Sequence, residues 1–392
     1  MLQHPPSFGD LLRSLPGIYP SDVLRSLRRL GSPSPTTTNA GNKSPERAAA
    51  LDSSHGVCGM LPHPLDYDWR YSLLGAHSLA SFARCLAGPN GFVACIGAPS
   101  VAAVLAIDGG RTRVVSLDAN HRSRSADGDA VALIFDAFRD DVPAVSADVV
   151  VLDPPWYPEY MRWFLWAATS MVRERGVVAL SFPAAGTRPG IGAERADTVK
   201  RAEEFGLRLR GIRWGAAEYV SPPFERLSLR ADGLEAVPAD WRRGDVLVFD
   251  AYSKPHQAAK PELLDVEMWT DLTTASTRIK VRASHCVGSP VLRSIVPGDI
   301  LPTVSRRDAR RQQVTVWTAT NRVYACDNAQ LFGAIAEAES HGATDCVSAA
   351  EIALGRPLQL AEAHLVTAAA DQARTVLEAD AHDLASVGWQ AS

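Results

Sequence analysis

Lysine is scarce in this 392-residue sequence. Of its 40 basic residues only Lys43, Lys200, Lys254, Lys260 and Lys280 are lysines, and the rest are arginine. Set against 44 acidic residues, they leave a formal net charge of -4 at pH 7. That balance excludes a protein that coats nucleic acid or an anionic membrane by bulk charge, because such binding scales with the counterions it releases. Any nucleic-acid contact has to be local. Cysteine is also sparse: Cys58, Cys85, Cys95, Cys286, Cys326 and Cys346 are scattered without a C-x-x-C pair. This excludes a disulfide framework and fits reduced thiols in a cytoplasmic protein. No apolar run reaches the roughly 18 to 20 residues that cross a bilayer, and Met1-Leu2-Gln3-His4-Pro5-Pro6 lacks the basic-then-apolar order of a signal peptide. A membrane partner is therefore not expected. Neither an internal repeat nor a G-x-G-x-x-G fingerprint is present.

What remains is ordinary globular material, with 46% apolar, 21% charged and 7% aromatic residues. The length predicts two to three domains at about 150 residues each. Residues 1–30 read as a small helical segment, with helices over Ser7–Leu15 and Ser21–Leu30, Ser7 and Ser21 as N-caps, and Pro16-Gly17 as the break. Residues 31–50 read as a linker, Gly31–Asn42 having almost no apolar content.

From about residue 88, short apolar runs alternate with helix-length intervals, the pattern of a buried parallel sheet. Strands are expected at Phe92–Ile96, Arg113–Leu117, Val131–Phe135, Asp148–Leu152, Gly176–Ser181, Leu207–Ile212 and Val246–Phe249, with a helix over Pro158–Arg173 ending in cations. The fold class is α/β, a Rossmann-like doubly wound sheet over residues 51–253. Residues 254–392 read as a mixed α+β domain, with a strand at Val314–Trp317 and helices over Leu331–Glu339 and Ala361–Leu377.

In such a sheet ligands bind beyond the carboxyl ends of the strands. The first strand runs into Gly97-Ala98-Pro99-Ser100, a small-residue turn that lets a ligand approach backbone N–H groups at a helix N-terminus. The second ends at Asp118, about twenty residues on, where a carboxylate can accept both hydroxyls of a ribose; capping a following helix is the plainer role. The third ends beside Asp136, placed for an adenine amino group or for capping a turn. The fourth ends in Asp153-Pro154-Pro155-Trp156-Tyr157. That order suits alkylation of an amine whose lone pair is delocalised into a ring. Asp153 accepts one N–H, the Pro154 carbonyl accepts the other, and the nitrogen is drawn toward a tetrahedral geometry. The two prolines fix φ and remove competing donors. Trp156 or Tyr157 can stack on the ring.

These residues resemble the class I S-adenosylmethionine-dependent amino-methyltransferases, whose fourth motif reads Asp-Pro-Pro-aromatic. The likeness spans about residues 88–250. It implies S-adenosyl-L-methionine as cofactor, held by Gly97, Pro99, Ser100, Asp118 and Asp136, with Asp153, Pro154, Pro155 and Trp156 as the catalytic group. It also implies target recognition downstream, since 56 positions separate Gly97 from Asp153 and leave no room for a domain between them. The first motif departs from the family pattern by lacking its second and third glycines. A similar layout occurs in branched-chain polyamine synthases, which use the decarboxylated cofactor and whose polycationic substrate calls for extra acids. Here Trp156, Tyr157, Tyr160, Trp163 and Trp166 crowd the motif with Glu159 the one acid among them, which favours a planar substrate. Trp163 and Trp166 fit a helix core better than a cage.

The remaining signals are local. Arg306, Arg307, Arg310 and Arg311, followed by Trp317, form a basic cluster able to grip phosphates while a base stacks, or else a solvated turn paired with Asp308. Trp241-Arg242-Arg243 is a smaller case of the same kind, and Pro222-Pro223-Phe224 is either a substrate border or a rigid turn. The tract His63–Arg70 suits either a lid or a packed lead-in. His55, Cys58 and His63 fall short of a metal set, so no metal is expected. Cys95, inside a strand, is expected to be inert. The combined expectation is an N-methyltransferase acting on an exocyclic amine, adenine N6 in DNA or RNA foremost, with Tyr157 and the four arginines binding the target. A small-molecule amine, aminopropyl transfer and a non-catalytic binding protein on the same fold are the alternatives.

Overall fold

The computed structural model describes residues 7–31, 61–107, 111–119, 130–136, 140–235, 237–252, 260–262, 268–274, 277–283, 288–342 and 345–389. The expected linker lies outside them apart from Gly31, as do His55 and Cys58. Among the described residues no helix is long and apolar enough to cross a membrane.

Eight strands form one sheet: β1 (Arg70–Tyr71), β2 (Phe92–Ile96), β3 (Arg113–Asp118), β4 (Ala130–Ile134), β5 (Ala147–Leu152), β6 (Val172–Pro183), β7 (Leu207–Val220) and β8 (Arg243–Ala251). Their spatial order is β1-β7-β8-β6-β5-β2-β3-β4. The run β6-β5-β2-β3-β4 is parallel. β8 lies antiparallel between β6 and β7, and β1 adds antiparallel to β7. The all-parallel expectation therefore fails at β8. A strand covered on both faces reads as an unbroken apolar run in either direction, so its sequence carries no mark of polarity.

Alternate residues of β5 feed two cores. Val150 and Leu152 pack beneath α5 (Pro158–Met171) and α6 (Ile191–Glu204) with Met161, Leu165 and Ala202. Val149 and Val151 pack beneath α3 (Leu73–Ala87) and α4 (Pro99–Ile107) with Leu79, Val101 and Leu105. This period-two division makes the sheet doubly wound. α5 stops at Met171, short of the expected cations, because Val172 already pairs with Ala147 in the sheet; Arg173 lies in β6 and pairs with Asp148 at 2.5 Å.

At the N-terminal side, α1 (Phe8–Ser14) is capped by Ser7, which accepts from the Asp10 N–H. Ser21 does not cap α2 (Pro20–Arg29). Pro20, with its φ set for a helix, takes the first position after Tyr19, and the Ser21 hydroxyl donates to Asp232 instead. Leu12, Val23 and Leu24 pack on Leu229 of α7 (Pro223–Ala231), Leu234 and Trp241.

A second sheet, entirely antiparallel, comprises β9 (Trp269–Thr273), β10 (Arg278–Arg282), β11 (Arg293–Ser294), β12 (Val316–Thr318) and β13 (Val323–Ala325), in the order β11-β13-β12-β10-β9. Three helices, α8 (Ala329–Ser340), α9 (Cys346–Leu354) and α10 (Leu360–Ser386), supply its core through Phe332, Ile335, Val366 and Ala373, against Ile279 and Val281. The two halves meet through buried polar contacts. Asn321, with φ 69°, donates from its side-chain amide to Ser228 on α7 at 2.7 Å and to the Leu301 carbonyl at 2.7 Å.

Candidate active site

The strand order reverses at β2, which has β3 on one side and β5 on the other. Just past its end, Gly97 N–H donates to the Leu117 carbonyl at 2.9 Å and Asp153 N–H donates to the Ile96 carbonyl at 3.0 Å, so three strand ends are held together. Gly97 takes φ 66°, and a Cβ there would stand 2.8 Å from the Asp153 carbonyl oxygen and 3.0 Å from the Phe164 ring. Glycine is needed at this turn both for the left-handed backbone and for the close approach.

A cavity of about 930 Å³ opens above these strand ends. Gly97, Pro99, Ser100, Asp118, Asp136, Asp153, Pro154, Pro155, Trp156 and Tyr157 all line it. So do Arg307 and Arg310, while Arg306 and Arg311 do not. The volume lies at the upper end of the range for small-molecule sites.

Asp153 sits at the cavity floor. Its Oδ1 accepts from the Tyr219 hydroxyl at 2.6 Å, and the Tyr71 and Ser181 hydroxyls complete its surroundings. Burial of the carboxyl pushes its pKa up to about 8, against the opposing pull of these three donors, and the Asp118 charge adds to the rise. The Pro155 carbonyl accepts from the Tyr157 N–H at 2.7 Å, which starts α5 immediately after the motif.

The Trp156 indole is wedged in place. A Cβ at Gly244 would stand 2.6 Å from its ring, Tyr219 meets it edge-to-face with the centroids 5.4 Å apart, and the Arg242 guanidinium lies 5.6 Å from its centroid. Tyr157 meets Tyr67 edge-on at 5.8 Å and has the Arg188 and Arg306 guanidiniums 5.9 and 5.7 Å from its centroid. Tyr67 and Trp69, from the tract expected as lid or lead-in, form part of the cavity wall, and Phe224 is fully buried against Trp69.

Of the two readings of the basic cluster, the turn paired with Asp308 matches what the structure shows at Arg310. Arg306 pairs with Glu159 at 2.5 Å, Arg307 with Glu194 at 3.6 Å, and Arg310 with Asp308 at 2.6 Å. Arg311 stacks on Trp317, 4.4 Å from its centroid. Trp317 is 1% exposed and donates to Asn321, so it cannot stack on a base. Asp308 caps the turn that follows it and holds Arg310, while Arg306 and Arg307, just before it, reach α5 and α6. Trp241 is likewise buried, and Arg242 and Arg243 pair with Glu225 and Glu218. His63 spends both ring nitrogens on backbone, at Leu65 N–H and the Trp317 carbonyl. Trp163 is core, and burial pushes the Cys95 thiol up to about 12.

Sequence reasoning offered the tract His63–Arg70 as a lid without counting its acids, and missed the N-terminal wall residues. Asp66 and Asp68 reach the cavity from far upstream of the motif, so Glu159 is not its only neighbouring acid; Asp66 pairs with Arg278 at 2.6 Å and Asp68 with Arg70 at 3.1 Å. Tyr19, Asp22 and Arg25 reach it from the N-terminal helices. Tyr219 carried a usable signal. It ends a strand running parallel to β6, but that strand reads from sequence as stopping at Ile212, which hides its carboxyl end.

No protein-family model and no curated protein matches the sequence. Among solved structures, the chain is similar to a branched-chain polyamine synthase mutein from Thermus thermophilus, in complex with N4-aminopropylspermidine and 5'-methylthioadenosine. That similarity has a TM-score of 0.50 at 14% identity, covering 66% of this chain and 86% of that one. It is also similar to a TehB-like SAM-dependent methyltransferase from Corynebacterium glutamicum, with a TM-score of 0.30 at 17% identity, covering 45% and 88%. At 14% identity the likeness to the polyamine synthase shows the fold alone.

Proposed function

We propose that the protein is an S-adenosylmethionine-dependent N-methyltransferase whose target is a small, planar amine held over Asp153. The observation that carries this reading is the convergence of Gly97, Asp118, Asp136 and Asp153 on one cavity at the switch point of a doubly wound sheet. The residues fit a nucleoside-bearing donor. Gly97 leaves its turn free of a side chain, α4 directs its N-terminus toward the cavity, and Asp118 and Asp136 supply acceptors for hydroxyls and an amino group. The donor, when bound, supplies an electrophilic carbon on a positively charged sulfur. Asp153 accepts one N–H of the target, the Pro154 carbonyl accepts the other, and the nitrogen lone pair is thereby aimed.

The target side of the cavity disfavours a polycation. Its aromatic faces already carry guanidiniums, Arg242 on Trp69 and Trp156 and Arg306 on Tyr157 and Tyr160. It also offers little grip for a nucleic-acid backbone, because Arg306, Arg307 and Arg310 are paired with acids. Adenine N6 within a strand is therefore less supported than a free amine of similar shape.

A second reading, aminopropyl transfer, draws on two observations. The eight-stranded sheet with its helices spans residues 70–251, under half the chain, so the 66% likeness to the polyamine synthase extends beyond it. A base with a pKa of about 8 also suits an aliphatic ammonium. Calorimetric titration with S-adenosylmethionine and with its decarboxylated form separates the two. The methyltransferase reading expects the ordinary cofactor to bind, with affinity reduced about tenfold or more in Asp118→Ala. It also expects Asp153→Asn to bind normally and transfer nothing. Preference for the decarboxylated form assigns polyamine chemistry, and binding of neither form overturns both.

A further inference from the structure

Asp153 is served by hydroxyls from three strands. Tyr219 stands near the end of β7, Tyr71 ends β1, and Ser181 lies in β6. Tyr71 and Tyr219 are direct cross-strand partners, and their rings stack at 4.7 Å with 21° between planes. The Tyr219 hydroxyl donates to Asp153 at 2.6 Å and lies 3.4 Å from the Tyr71 hydroxyl, which in turn is bonded to Ser181. Both rings and Ser181 are buried, at 6%, 2% and 1% exposure. Strand β1 is only two residues long, and half of it is this tyrosine.

The groups that face Asp153 can be named element by element. From β1, β6 and β7 they are Tyr71, Ser181 and Tyr219, and from the end of β3 comes the like charge of Asp118. Arg242, on the same wall, stands over Trp156 and is bonded to Glu225. Among the described residues the donors that support the charged form of Asp153 are these neutral hydroxyls.

We propose that Tyr219, backed by Tyr71 and Ser181, is a positioning residue that orients the Asp153 carboxylate toward the amine and keeps it able to take the amine's proton. The inference rests on the reading of Asp153 as the amine's acceptor and holds for either alkyl group. In the step it serves, the amine nitrogen forms its bond to the alkyl carbon with its lone pair, the carbon–sulfur pair stays on sulfur as a neutral thioether, and the N–H proton passes to Asp153. The carboxylate becomes a carboxylic acid, and the positive charge that began on sulfur is cancelled. Tyr219 does not touch the reacting atoms. It acts by holding Oδ1 of Asp153, so that the amine's N–H takes the other oxygen.

The test is read on the protein alone. Difference infrared titration follows the carboxylic-acid carbonyl band that disappears in Asp153→Asn. In the wild type it should titrate near the alkaline midpoint of about 8. Tyr219→Phe keeps the ring and removes one donor to the charged form, so the midpoint should rise by about one to two units. Ser181→Ala, which leaves both rings in place, should move it in the same direction by less. Once a substrate is in hand, Tyr219→Phe should lose about tenfold in kcat at pH 7 and recover at pH 9 to 10, with cofactor affinity unchanged. A merely structural role would lower activity equally at every pH. A midpoint that stays put in Tyr219→Phe, or an Asp153 band that titrates in the ordinary carboxylate range, overturns the proposal. The calorimetric result for the cofactor is independent of both, so failure here leaves the function standing.

Discussion

A carboxylate at the floor of a cavity, with hydroxyls as its donors, is held there against its own solvation. The folded pKa of Asp153, about 8, lies above the 3.8 of a free aspartate, so the native state binds more protons than the unfolded state between those values. Stability contributed by this group is therefore present at acid pH and declines as pH rises through 8. Asp153→Asn removes that dependence. The variant should match the wild type near pH 4.5 and exceed it at pH 8.5, by on the order of a few kcal/mol. Urea midpoints at the two pH values measure the difference, and parallel curves for the two proteins would refute the assignment. A gain in stability accompanied by complete loss of transfer is what a strained catalytic group predicts. Gly97 belongs to the same scale, since its positive φ and the 2.8 Å approach to Asp153 leave no room for a side chain where motif and turn meet.

Among the elements, α7 does more than connect β7 to β8. Its Glu225 is fully buried and accepts from Trp69 at 3.1 Å and from Arg242, which in turn covers Trp156. Three segments remote in sequence thus set the position of one motif aromatic. Glu225→Gln leaves the guanidinium uncompensated and should cost about 3–5 kcal/mol in urea unfolding, whereas Glu225→Gln combined with Arg242→Met should recover much of it. A single variant within about 1 kcal/mol of wild type would show that the pair is not buried in solution. The same element shows where reading from sequence stops. The strands that carry the motifs, β2 to β5, announce themselves because each is a short apolar run bounded by turn residues. β7 announces itself only over Leu207–Ile212, because Gly215, Ala216 and Ala217 beyond it make no apolar run, so Tyr219 looks like loop. β10 reads Arg-Ile-Lys-Val-Arg, an amphipathic strand whose polar face is spent on Asp66 and Asp271, partners that no local pattern reveals. The Asp-Pro-Pro-Trp motif was legible because its chemistry lies in consecutive residues. The hydroxyls and ion pairs that tune it were not, because they come from other strands.

For the whole molecule, the question is what the second sheet does to the cavity. Residues 302–305, Arg307, Asp308 and Arg310 form part of its wall, and the main chain at Arg306 donates to the Tyr157 hydroxyl at 3.2 Å. The arginines that look like a phosphate grip in sequence instead fasten this wall to α5 and α6 through Glu159 and Glu194. A protein that neutralises phosphates releases counterions, and the logarithm of its affinity falls with the logarithm of salt concentration by about 0.7 per phosphate contacted on a single strand and about 0.9 on a duplex. With Arg306, Arg307 and Arg310 already paired and a net charge of -4, this wall has little left to offer phosphates. Fluorescence anisotropy of labelled single- and double-stranded oligonucleotides across a salt series should therefore give weak binding with a slope no steeper than about two. A slope near six or beyond would mean that the ion pairs open for phosphate. It would also return the target to nucleic acid and make the wall around residues 302–310 a recognition surface instead of a lining.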